Sequence, residues 1–167
     1  MQNVTKQQAE FLKVLTRCQG TLMKVCLYYH RHNPDNLRDL YQDIVCVLWE
    51  RWPTFRDECD ANTWVTQIAL NVAAQRMREH KRMPTFVQLD ENLCDAIADE
   101  ADTPLHDRLY HLIAQLDNDD DRNLLYLYLE KKSILQIAEI MNITYGAARQ
   151  RLSRIKTRLI QLNNQIE

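Results

Sequence analysis

Apolar side chains recur along the first thirty residues with the period of an α-helix. They stand three or four residues apart, at Phe11, Leu15, Cys18, Leu22, Val25 and Tyr29. This spacing places all six on one face of a helix. Asn33 and Pro34 then predict the start of a second helix, because asparagine caps helix amino termini and proline favours the first helical position.

The four prolines, at positions 34, 53, 84 and 104, divide the chain into stretches with helical patterns. The second helix carries its apolar positions at Leu37, Leu40, Ile44, Val47 and Leu48 and is expected to end near Pro53. A third helix is predicted from Asn62 or Thr63 to Arg82. Its inward side chains are Val65, Ile68, Ala69 and Val72.

Residues 86–102 interrupt this regularity. No apolar period persists there, and acidic side chains recur at Asp90, Glu91, Asp95, Asp99, Glu100 and Asp102. A segment of this composition cannot bury enough apolar surface to fold alone, so a flexible acidic linker is predicted. Thr103 and Pro104 again combine a helix-capping residue with a proline at the first helical position, and helical patterns resume after them. We therefore expect an all-α fold of two small helical bundles, residues 1–85 and 103–167.

The most specific local pattern lies in residues 133–162. Ser133 and Gln136 have the spacing of a capping box, in which serine and glutamine satisfy each other's backbone amides. A short apolar stripe follows, at Ile134, Ile137, Ala138 and Met141. Asn142 and Ile143 make a turn, and Thr144 caps a long helix. Two helices joined by so short a turn are typical of the helix-turn-helix motif.

The second helix of this motif has two opposite faces when positions are separated by about 100° per residue. Ala148, Leu152, Ile155 and Leu159 form the core face, and Gln150, Ser153, Arg154 and Thr157 lie opposite. Arg149 and Arg151 flank the polar face. Amide, hydroxyl and guanidinium groups together suit the major groove of DNA, where arginine pairs with guanine and glutamine with adenine. A solvated basic helix that closes a bundle is the alternative.

Composition excludes several classes of function. The chain has only two glycines, about 1% against a usual ~7%, which disfavours a glycine-rich phosphate loop or dinucleotide fingerprint. No apolar run reaches the ~18 residues of a membrane span, so no membrane insertion is expected. No catalytic motif occurs, and neither an enzyme nor a cofactor is predicted. The five cysteines, without repeated spacing, indicate reduced thiols in a cytoplasmic protein.

The candidate ligands for a zinc site are Cys18, Cys26, His30 and His32. Cys26 and His30 are four residues apart and could share a metal on one helical face. The two cysteines, however, lie on the apolar face, where cysteine behaves as a small hydrophobic residue. The chain also lacks a CxxC pair, so no metal site is predicted.

The net charge of −2 is unevenly distributed. Residues 1–89 carry twelve basic and nine acidic side chains, and residues 122–167 carry eight basic and three acidic ones. Between them, residues 90–121 carry eleven acidic side chains and one basic. Two mildly basic blocks around a strongly acidic segment are compatible with a nucleic-acid partner, although a solvated acidic loop would give the same balance.

Two stretches, in this order, resemble the bacterial sigma-70 family. The segment SILQIAEIMNITYGAARQRLSRIKTRL is similar to region 4.2, and NLRDLYQDIVCVLWERW with NTWVTQIALNVAAQRMREHKR is similar to regions 2.2 to 2.4. The resemblance covers about residues 10–83 and 105–162. The absence of region 1.1 and of a folded region 3 indicates the extracytoplasmic-function (ECF) group. The resemblance implies a transcription initiation factor that binds core RNA polymerase, recognises the −35 and −10 promoter elements and assists promoter opening.

The resemblance also implies roles for individual residues. The contact with the β′ clamp helices of the polymerase matches Asp39, Gln42 and Asp43. The β subunit is a second expected partner in the polymerase. Asn71 matches a position that holds a base extruded from the −10 element. It belongs to a polar stripe on the third helix, which consists of Trp64, Asn71, Gln75, Arg78 and Arg82. Lys81, beside this stripe, would contact phosphates. For Trp64, core packing is an equal alternative. The −35 contacts match Thr144, Arg149, Gln150, Ser153, Arg154 and Arg158.

Three further expectations follow from the family. The loop from Phe55 to Asn62 would complete the base pocket, and the acidic linker would enter polymerase channels that hold polyanions. An anti-sigma factor is a further candidate partner.

One departure from the family pattern concerns Ala147 and Ala148, where the family usually has a β-branched residue. The competing interpretations are a stand-alone regulator that binds operator DNA as a dimer, and a scaffold that contacts only protein.

Overall fold

Helices are the only regular elements in residues 2–30, 33–82 and 104–166, which are the residues that the computed structural model describes. The all-α fold predicted from the sequence is confirmed. The chain divides into two compact units, Met1–Pro84 and Thr85–Glu167. The predicted linker, residues 86–102, lies outside the described residues.

The first unit consists of three long helices. They are α1 (Gln2–His30), α2 (Pro34–Arg51) and α3 (Ala61–Arg82), with a 3₁₀ turn at Trp52–Thr54 after α2. Each of the three packs against the other two. Their shared core contains Cys18, Leu22, Val25, Leu40, Ile44, Leu48, Val65 and Ala69. The predicted apolar face of the first helix is therefore the one that the fold buries, with Leu15 half-buried at its edge.

Local signals set the ends of these helices. The Asn33 side chain accepts a hydrogen bond from the Asn36 backbone amide at 3.0 Å, and Pro34 takes the first helical position. Pro53 falls in the 3₁₀ turn rather than in α2, because α2 already ends at Arg51. The third helix begins at Ala61, slightly earlier than predicted, since the Asp60 carbonyl accepts from the Trp64 amide at 3.1 Å.

The second unit contains four helices among its described residues. They are α4 (Pro104–Ala114), α5 (Asp119–Leu129), α6 (Ile134–Met141) and α7 (Tyr145–Ile166). The middle of α5 is buried on all sides, from Arg122 to Leu127. The core of this unit also contains Leu112, Leu116, Ile137, Ile140, Leu152 and Ile155. Both α6 and α7 pack against α5 and against each other, and α4 packs against α7.

Candidate nucleic-acid interface

The helix-turn-helix forms from the predicted local contacts. The Ser133 amide donates to the Gln136 side chain at 2.9 Å, and the Gln136 amide donates to the Ser133 hydroxyl at 3.2 Å. Asn142 closes α6 in the left-handed conformation, with φ of 53°. The Thr144 hydroxyl then accepts from the Ala147 amide at 3.2 Å and caps α7.

The polar face of α7 is open to solvent. Gln150, Ser153, Arg154 and Thr157 are exposed, as are Thr144, Arg149 and Arg158. On the opposite face Ala148, Leu152 and Ile155 are buried and Leu159 is half-buried. The Thr157 hydroxyl donates to the Ser153 backbone carbonyl at 3.1 Å, while the Ser153 side chain itself is exposed. The helix thus presents the donor and acceptor groups that the sequence placed on one side.

Arg151, at the edge of this face, is engaged by α5. Its guanidinium lies 3.8 Å from the Asp120 carboxylate. Burial raises the pKa of the neighbouring Asp121, although Arg151 and Arg154 act in the opposite direction. The sequence did not anticipate this contact between the two helices.

The polar stripe on α3 is exposed at the three described positions that follow Trp64. The side chains of Asn71, Gln75 and Arg78 are exposed, and the Gln75 amide donates to Glu79 at 3.2 Å. Lys81 and Arg82 belong to the last turn of α3, but their side chains lie outside the described residues. The stripe therefore places an amide pair and one guanidinium on the same side of the first unit.

Trp64 is half-buried in an aromatic cluster. Its ring centroid lies 5.0 Å from that of Phe55 and 6.1 Å from that of Trp52, and the Trp52 and Phe55 rings stack at 5.5 Å. Phe11 contacts Trp52 edge-on at 5.5 Å and joins the cluster to α1. Packing is thus one function of Trp64, the alternative that the sequence left open.

A cavity of about 310 Å³ opens beside Trp64. Its walls come from the 3₁₀ turn, the loop that follows it and α3, and consist of Thr54, Phe55, Arg56, Glu58, Cys59 and Trp64. Aromatic rings with adjacent polar groups suit a planar, hydrogen-bonding ligand. The sequence analysis predicted the loop from Phe55 to Asn62 as part of this pocket, but it did not single out Arg56, Glu58 or Cys59 individually.

The acidic face of α2 is divided between solvent and an internal contact. Asp39 and Gln42 are exposed. Asp43 is half-buried, because its carboxylate accepts from the guanidinium of Arg76 on α3. The sequence analysis did not single out Arg76. A helical period shows which side chains share a face, but it does not show which neighbouring helix they meet.

Two cysteines of the first unit, Cys18 and Cys26, are structural. Both are buried in the core of that unit. Burial raises the pKa of Cys18 and raises that of Cys26 to about 12, so both thiols stay protonated. The described residues contain no group of three or more His, Cys, Asp or Glu side chains that could hold a metal ion. His32, one of the weighed zinc ligands, lies outside those residues.

None of the helices in residues 2–30, 33–82 and 104–166 combines the length and apolar character needed to cross a bilayer.

Comparison with known proteins assigns both units to one family. The family model for sigma-70 region 2 matches residues 14–83, and the model for sigma-70 region 4 matches residues 106–159. The probable RNA polymerase sigma factor RfaY of Xanthomonas campestris pv. campestris is 24% identical over 157 residues, which are 89% of this chain and 39% of RfaY. The chain therefore spans about two fifths of the length of that relative.

Two solved structures share the fold. The sigma factor RpoE of Bartonella quintana, in complex with the anti-sigma factor NepR, has a TM-score of 0.66 at 21% identity, covering 93% of this chain and 97% of RpoE. CnrH, in complex with the cytosolic domain of CnrY, has a TM-score of 0.65 at 17% identity, covering 96% of this chain and 91% of CnrH. The two family models leave only residues 84–105 between them. Two sigma-70 family models thus cover most of the chain in the order region 2, region 4, and the chain belongs to the sigma-70 family.

Proposed function

We propose that this chain is a bacterial transcription initiation factor. It binds core RNA polymerase, recognises the −35 and −10 promoter elements and assists promoter opening. The observation that carries the proposal is the presence of two exposed polar faces, one on α3 within region 2 and one on α7 within region 4. Residues 1–85 form the −10 and polymerase domain, residues 86–102 the linker, and residues 103–167 the −35 domain.

The polar face of α7 is the proposed −35 contact. Arg149, Gln150, Ser153 and Arg154 carry the side chains that form hydrogen bonds with base edges in the major groove. Thr144 lies at the amino terminus of α7, where free backbone amides and the helix dipole favour a phosphate. Arg158 lies about one turn beyond Arg154 and contacts the DNA backbone.

The −10 contact is proposed for α3 and the neighbouring cavity. Asn71 forms a hydrogen bond with a base that leaves the duplex, and the cavity beside Phe55 and Trp64 receives that base. Stacking on aromatic rings offsets part of the free energy lost when a base leaves the duplex. Gln75 lies one turn further along the same stripe, and Arg78, Lys81 and Arg82 then hold the adjacent phosphates.

Core polymerase is the proposed protein partner. Asp39, Gln42 and Asp43 on α2 bind the β′ clamp helices, and the second unit binds the β subunit. The acidic linker occupies a polymerase channel that otherwise holds nucleic acid. An anti-sigma factor is a further proposed partner, because RpoE is found in complex with the anti-sigma factor NepR.

Run-off transcription with core polymerase on a library of genomic fragments tests this function. We expect specific transcripts only when the chain and core polymerase are both present. Arg154→Ala should lower promoter binding by about 1–3 kcal/mol and relax discrimination at one −35 position. Tight, sequence-selective DNA binding by the free chain, with no effect on transcription by core polymerase, would favour a stand-alone regulator instead.

A further inference from the structure

The contact between Arg151 and Asp120 joins the edge of the DNA-contacting face to the first turn of α5. The two side chains are 31 residues apart in the sequence, and their charged atoms lie 3.8 Å apart. Asp120 is 62% exposed and Arg151 32%, so the pair sits at the surface, where DNA would approach. Arg151 is only about 60° around the helix from Arg154, one of the proposed base contacts.

The location of the pair determines what Arg151 does on DNA. A free guanidinium at the edge of a recognition helix binds the phosphate backbone of any sequence, because phosphate contacts carry no sequence information. With a carboxylate beside it, Arg151 must give up an existing contact before it gains a phosphate. The gain in non-specific affinity is reduced accordingly.

We propose that Asp120 is a positioning residue that withholds Arg151 from phosphates and thereby lowers the affinity of the chain for DNA of any sequence. The inference rests on the proposed DNA contact of α7. Asp121 adds to it, since its half-buried carboxylate lies close enough to Arg151 and Arg154 for an electrostatic interaction with both. Negative charge thus lies along the Arg151 side of the recognition helix.

The first test measures binding of the full chain to a fluorescent random-sequence duplex over a range of salt concentrations. Asp120→Asn should bind more tightly than the wild type. Its log–log salt dependence should be steeper by about 0.9, the value for one additional neutralised phosphate. Asp117→Asn is the matched control, because it removes the same charge from an exposed residue just before α5. Asp120→Glu should retain the wild-type slope.

A second variant separates the local contact from the change in net charge. In an Arg151→Gln background, Asp120→Asn should no longer steepen the salt dependence. Equal effects of Asp120→Asn and Asp117→Asn, or an effect that persists without Arg151, would overturn the proposal. The same applies if Asp120→Asn fails to bind the random duplex at low salt.

Sequence independence is measured with the reconstituted holoenzyme. The probe is a promoter fragment recovered from the run-off library, competed against the random duplex. The ratio of promoter to random binding should be the same in Asp120→Asn and in the wild type, because a phosphate contact carries no sequence information. A ratio that changes in Asp120→Asn contradicts the inference, whereas a wild-type holoenzyme that yields no specific transcript contradicts the proposed function and leaves the duplex measurements interpretable.

Discussion

Asp43 on α2 and Arg76 on α3 form an ion pair that links the two helices carrying the proposed binding faces of region 2. The Asp43 carboxylate belongs to the face proposed for the polymerase, and Arg76 belongs to the helix that carries Asn71 and Gln75. Both side chains are partly exposed, with 31% of Arg76 and 41% of Asp43 accessible. The pair therefore stabilises the packing of the two helices modestly, while the carboxylate remains reachable from outside.

The two roles of Asp43 can be separated by its partner. A double-mutant cycle of Asp43→Asn and Arg76→Gln should give a coupling free energy of about 0.5–1 kcal/mol in urea unfolding, as for other partly exposed pairs. Asp43→Asn should weaken binding to core polymerase, whereas Arg76→Gln frees the carboxylate and should leave that affinity equal or higher. Equal losses in both variants would indicate that only the packing of α2 on α3 matters.

Asn71→Ala is expected to impair promoter opening without destabilising region 2. Asn71 is exposed, and loss of one hydrogen bond to an extruded base corresponds to about 1 kcal/mol, or a roughly fivefold lower open-complex population. Permanganate reactivity of −10 thymines in the holoenzyme measures this. Trp64→Ala is a poorer probe because it also removes ring contacts with Trp52 and Phe55. Wild-type thymine reactivity in Asn71→Ala would exclude its role.

Ser133→Ala removes the hydroxyl of the capping box and should destabilise region 4 by about 1 kcal/mol. The three tryptophans, Trp49, Trp52 and Trp64, all lie in the first unit, so their fluorescence reports on that unit alone. Thermal unfolding followed by circular dichroism should therefore shift, while the tryptophan transition stays in place. Ser153→Ala, an exposed serine within α7, is the control. A matching shift in both signals would show that the two units unfold together.

Asp121→Asn should stabilise the chain increasingly as the pH rises. Burial raises the pKa of Asp121 above its ordinary value of 3.8, so the folded state disfavours the ionised carboxyl. Below that value the group is protonated in both states and the substitution has little effect. Above the raised pKa the full penalty applies, and the variant gains stability. Urea unfolding from about pH 4 to about pH 7, with Asp117→Asn for comparison, measures the trend; a benefit that shrinks with rising pH would contradict it.

The cysteines should differ sharply in reactivity. Among the cysteines that the structure describes, Cys46 is exposed, and iodoacetamide should label it before Cys18 and Cys26. Cys18 and Cys26 are buried, and at a pKa of about 12 almost none of the Cys26 thiol is ionised near neutral pH. Peptide mass spectrometry should detect their labelling only after urea is added. Labelling of Cys26 in the native chain at the rate of Cys46 would show that the first unit opens readily.

The helices and the sides they expose follow from the local pattern of the sequence. Periodicity from Phe11 to Tyr29 predicted the buried face of α1, because a helix repeats every 3.6 residues whatever surrounds it. The Ser133–Gln136 box was equally predictable, since both partners lie within one turn. For the same reason the polar side of α7 could be assigned before its neighbours were known.

Which helices meet along these faces depends on the tertiary packing and could not be predicted from local periodicity. Arg76 and Asp43 are 33 residues apart, and Arg151 and Asp120 are 31 apart, so no local period relates them. The half-buried position of Trp64 likewise depends on Trp52 and Phe55, which the chain brings up through the turn after α2. Local hydrogen bonds and periodicity fix a helix within a few residues, whereas the partner of a charged or aromatic side chain depends on how whole helices pack.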